Sequence, residues 1–83
     1  MRAPSTTTAE LEGGFVLQDG TLHLRTTTCG PDDGATGSQL ERLATAPSGA
    51  TVKKLPRSRF EARVGDQIFV SRLTRCGYQL EPL

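Results

Sequence analysis

Apolar residues in this chain recur mainly at every second position. Leu22 and Leu24 alternate with Thr21, His23 and Arg25, while Phe60, Ala62 and Val64 alternate with Arg59, Glu61 and Arg63. Successive side chains of a strand leave opposite faces, so this period predicts strands with one buried side. Phe15-Val16-Leu17-Gln18 leads into Asp19-Gly20 and then Thr21–Thr27, and Asp-Gly suits the positive φ angles of a two-residue turn. The pattern predicts a β-hairpin there. Thr51–Leu55 is expected as a strand ending at Pro56, and Arg59–Val64 as another ending at the Gly65-Asp66 turn. The next segment, Gln67–Leu73, is apolar on both faces around Phe69, as in a central strand. Arg75-Cys76-Gly77 forms a further turn, and Tyr78–Glu81 a closing strand before Pro82.

Two stretches depart from this period. Residues 1–12, with Pro4 and the run Ser5-Thr6-Thr7-Thr8, show neither alternation nor a helical apolar face and are expected as a flexible N-terminal arm. Cys29–Gly37 is turn chemistry throughout and predicts a surface loop. Ser38-Gln39-Leu40-Glu41 then has the spacing of a capping box, so a helix of one to two turns is expected after it. Leu40 and Leu43 would face inward, and Pro47-Ser48-Gly49 would end the helix. The expected fold over residues 13–83 is therefore mainly β, with one short helix. Its form is a small five- to six-stranded barrel, SH3-like or OB-like, or a strongly bent antiparallel sheet. The step Val64–Val70, Gly-Asp followed by alternating apolar residues, is one that many small barrels share.

Length limits what such a fold can enclose. A chain of 83 residues buries about 60% of the surface its unfolded form exposes, and only 20 of its residues are Val, Ile, Leu, Phe, Tyr or Met. An internal active-site cavity has little room. No apolar run approaches the ~20 residues that cross a bilayer, and the Thr-rich start has no signal-peptide core, so the expectation is a cytoplasmic protein without membrane contact. The net charge of +1 hides an asymmetry, with −3 over residues 1–42 and +4 over residues 43–83. Lys53, Lys54, Arg57, Arg59, Arg63, Arg72 and Arg75 make up the cations of the second half and form the candidate partner-binding set.

Candidate chemistry is sparse. Cys29 and Cys76 are too few for a disulfide framework or a closed zinc site, and His23 is not at metal-ligand spacing from either. Reduced thiols are the expected state, with a single disulfide between the two turns as the alternative; no metal or other cofactor is expected. A nucleophile needs a base beside it, and the only histidine, His23, falls on the polar side of a predicted strand. Asp32-Asp33 and the pair Glu10 and Glu12 lack the dry surroundings that tune acids for catalysis. Gly34–Ser38 lacks the lysine that a phosphate-binding loop places after its last glycine.

These readings make a non-enzymatic protein-binding domain the leading expectation, acting as a regulator, adaptor or stoichiometric inhibitor of a larger protein. Arginines flanked by Phe69, Leu73 and Tyr78 would supply anchors, and a strand edge at Thr51–Leu55 offers a second mode of recruitment. The alternative is a small RNA- or DNA-binding barrel that uses the basic residues 53–75, with Phe69 or Tyr78 stacking on bases. Nothing in the sequence fixes an oligomeric state.

Overall fold

The computed structural model describes residues 8–31 and 35–82. Eight strands occupy most of them: β1 (Thr8–Glu10), β2 (Phe15–Gln18), β3 (Thr21–Cys29), β4 (Ala35–Thr45), β5 (Thr51–Leu55), β6 (Arg59–Val64), β7 (Gln67–Thr74) and β8 (Gly77–Glu81). They pair in chain order into two antiparallel sheets, β1-β2-β3-β4 and β5-β6-β7-β8. The mainly β expectation holds, but eight strands in two open sheets replace the five- to six-stranded barrel. The break falls at Ala46–Ala50. Pro47 has no N–H to extend a ladder. The Gly49 amide closes a turn on the Ala46 carbonyl at 3.0 Å, sending the chain from one sheet to the other. Among the described residues, no helix is long and apolar enough to cross a membrane.

The predicted hairpin is present as drawn. Gln18 pairs with Thr21, and the two residues between them, Asp19 and Gly20, have φ of 51° and 73°. These left-handed values match the twist of the flanking strands. The β5 strand and the β6-turn-β7 step also form where alternation placed them, and β7 lies between β6 and β8 as a central strand.

The capping-box helix does not form. Residues 35–45 instead make β4, which pairs with β3 from Thr21↔Thr45 to Cys29↔Ala35. A register shift between Leu22 and His23 leaves Leu43 as an extra residue on β4. That bulge breaks the period of two and gives Leu40 and Leu43 their helix-like spacing. Of residues 1–12, expected as an arm, residues 1–7 lie outside the described residues. Thr8–Glu10 pair with β2, and Glu12–Gly14 form one 3-10 turn.

The core lies between the sheets. Phe15, Leu22 and Leu24 come from the first sheet, Ala62 and Val64 from the second, and Ala46 from the connection; Leu17, Phe60, Phe69 and Tyr78 pack around them. Phe60 and Tyr78 meet edge to face, with ring centroids 5.9 Å apart. The 3-10 turn is wedged against this pair. Gly13 there is buried, with φ of 73°, and a Cβ at this position would collide with Phe60. Ser71, fully buried on β7, donates a hydrogen bond of 2.8 Å from Oγ to the Gly13 carbonyl and ties the turn to the second sheet.

Cys29 and Cys76 are bonded to each other, which corrects the expectation of reduced thiols. The bond joins the end of β3 to the β7–β8 turn across 47 residues, with Cα atoms 5.5 Å apart. It was out of reach of local pattern because each half belongs to a different sheet. Nearby, Gln79 Nε2 donates to the Thr27 carbonyl at 3.5 Å, so β3 beyond its pairing with β2 lies alongside β8.

Candidate functional site

The register of the second sheet decides which of the seven predicted cations can act together. Ala62 is buried in the core, so residues that share its face point inward and their neighbours in sequence point outward. The outer face is crossed by three rows. One holds Thr51, Arg63 and Ile68; the next Lys53, Glu61, Val70 and Glu81; the third Leu55, Arg59, Arg72 and Gln79. Lys53, Arg59, Arg63 and Arg72 thus share one surface. Arg57 joins them from the β5–β6 turn, where it lines a small cleft of about 170 Å³ with Arg59, Arg72 and Glu81.

Lys54 and Arg75 do not belong to this surface. Lys54 follows Lys53 in the chain and so points to the other face, where it rims a cleft of about 500 Å³ whose walls include Leu11, Phe60 and Tyr78. Glu10 and Arg25, paired at 3.3 Å, stand on the same rim. Arg75 sits in the β7–β8 turn next to the disulfide.

Acids interrupt the basic face. Glu61 forms an ion pair with Arg63 at 3.5 Å, and Glu81 accepts from Arg59 at 3.5 Å. The second carboxylate oxygen of Glu81 is buried without a partner among the described residues, in the cleft it shares with Arg57 and Arg72. Val70 lies between the two acids in the middle row and is only 7% exposed. The face therefore carries alternating rows, with arginines on both sides of a glutamate row. The Arg59-Glu61-Arg63 half of this pattern is visible in the sequence. Glu81 joins it only through the β7–β8 register, which the sequence does not display.

Other candidates fare differently. His23 lies on β3 opposite Val16 and Arg42, with its Nδ1 buried and unpartnered among the described residues. Cys29, as half of a disulfide, offers no thiolate for His23 to activate. Asp32, Asp33 and Gly34 lie outside the described residues, and Ser38 is a strand residue, so no helix N-terminus stands there to cradle an anion. Phe69 and Tyr78, expected as a base-stacking surface, pack against the core and not on the basic face. The strand expected as a recruiting edge, β5, is an edge strand of its sheet. No family model, curated protein or solved structure matches the chain, so its functional reading rests on its own residues.

Proposed function

We propose that this chain is a non-enzymatic protein-binding module whose partner docks on the outer face of the second sheet, and that it serves a larger protein as regulator, adaptor or inhibitor. The observation that carries this reading is the interleaving of Glu61 and Glu81 between rows of arginine. A phosphate backbone presents one sign of charge, and binding it gains from every cation and loses from every acid in contact. A protein surface can present acids to the arginine rows and a cation to the glutamate row, so this pattern selects by complementarity. Arginine is also the residue best suited to anchor such an interface, through its fixed fork of donors.

The nucleic-acid reading keeps the cluster of Arg57, Arg59 and Arg72 in its favour but loses its stacking platform to the core. The Cys29–Cys76 bridge favours an oxidising compartment over the cytoplasm, because cytosolic thiols are kept reduced. Two measurements on one immobilised chain separate the readings. Capture of a protein that is lost when Arg59, Arg63 and Arg72 are all replaced by Ser supports docking on this face. Retention of a random oligonucleotide that falls steeply with salt, with no protein captured, would overturn it.

A further inference from the structure

Sheets of this kind have edges whose unpaired N–H and C=O groups invite another strand, and natural proteins blunt them. Three of the four edges here are blunted. β1 has three residues among those described. β5 has five, carries Lys53 and Lys54, and stops at Pro56. β8 is flanked by β3, held there by the disulfide and the Gln79 hydrogen bond, and is followed by Pro82.

The fourth edge, β4, is the longest of the four, and the bulges at Thr36 and Leu43 leave an unbulged run, Gly37–Arg42, between them. It runs for eleven residues without proline, and 36–42 are exposed at every position. Its two charges, Glu41 and Arg42, cancel. Its exposed large apolar residue is Leu40, 37% accessible.

We infer that β4 pairs antiparallel with β4 of a second copy of this chain, making a two-fold symmetric dimer with one continuous eight-stranded sheet. The occupant follows from how the strand meets itself. Directly opposed residues of an antiparallel pair turn their backbone groups either both toward each other or both away. The two-fold axis must then set one residue of the unbulged run against its own copy. Placing the axis at Glu41 or Arg42 would oppose like charges, which is unfavourable. Placing it at Gln39 would set Leu40 against Ser38, whereas Leu40 sets leucine on leucine, Glu41 against Gln39 and Arg42 against Ser38, so the apolar residue meets its like and each charge meets a neutral hydrogen-bonding side chain. Pairing consumes the β4 edge of each copy, and the interface is isologous, so assembly stops at the dimer and does not continue as a fibre. The outer face of the second sheet takes no part in it and would be displayed twice.

Sedimentation equilibrium of the full chain across low-micromolar to millimolar concentration tests the proposal. The mass is expected to rise from 8.9 kDa to twice that value, and Leu40→Lys, which opposes like charges across the axis, should hold it at the monomer value. A second pair of variants reads the register. Opposed Cα atoms about 4.5–5.5 Å apart are within disulfide reach, so Leu40→Cys should give a covalent dimer on a non-reducing gel. Ser38→Cys, four residues out of register with its copy, should not. A wild-type chain that stays monomeric at all concentrations, a dimer indifferent to Leu40→Lys, or cross-linking through position 38 and not position 40 would each overturn the inference.

Discussion

Replacing Cys29 and Cys76 together by serine should remove a large part of the stability of this domain. The bond closes a loop of 47 residues. In the chain-entropy treatment, releasing a loop of that length returns about 4 kcal/mol to the unfolded state. Cys29 is exposed and Cys76 half-buried, so the serine pair removes little packing and the effect should come mainly from the cross-link. On a per-residue scale a chain of 83 residues has roughly 4–12 kcal/mol of stability in all, which would leave the serine variant marginal. Its Tm should fall by roughly 15–30 °C, taking the usual sensitivity of small domains to each kcal/mol. Urea unfolding followed by circular dichroism measures the loss, and the denaturant slope should rise because the uncrosslinked chain exposes more surface when it unfolds. Amide exchange should quicken first at Thr26–Cys29, which the bond holds against β8. If the variant unfolds within about 1 kcal/mol of the wild type, the two sheets are held together without the bridge and the cross-link reasoning fails.

Three further substitutions probe the wedge under the core and the hairpin. Gly13→Ala combines a left-handed φ with a collision against Phe60, and should cost about 2–4 kcal/mol in urea unfolding. Gly20→Ala has a similar φ of 73° but open space around it, so its cost should stay near 1–2 kcal/mol; equal losses at the two sites would show that packing against Phe60 is unimportant. Ser71→Ala removes the buried hydrogen bond to the Gly13 carbonyl and should cost about 1–3 kcal/mol, measured the same way, whereas a neutral result would mean that the turn is held by its aromatic neighbours alone.

How much of this was legible in the sequence depended on whether local chemistry and tertiary pairing agreed. Asp19-Gly20 and Gly65-Asp66 each join an alternating run to a continuous apolar one, and there turn and strand signals point the same way. At β4 they conflict. Ser38-x-x-Glu41 is a sound helix start, but β3, with its Thr26-Thr27-Thr28 run, offers nine paired positions of ladder, and a one- to two-turn helix has little of its own to set against that. The bulge at Leu43 then erases the alternation that would have revealed the strand. Among the cations, Lys53 and Lys54 are adjacent and so could not share a face of one strand, a point the alternation already contains. The glutamate row was out of reach, because Glu61 and Glu81 are twenty residues apart and meet only through two strand registers. The disulfide was likewise undecidable from two cysteines whose turns belong to different sheets.

The claim on which the functional account depends is that the two glutamates choose the partner. Replacing both Glu61 and Glu81 by lysine leaves every arginine of the face in place while making its charge uniform. With the fold checked by circular dichroism, the variant should lose the protein captured by the wild type. It should also gain retention on a random oligonucleotide, with an affinity that falls steeply as salt rises. Undiminished capture of the same protein by the lysine variant would contradict the account.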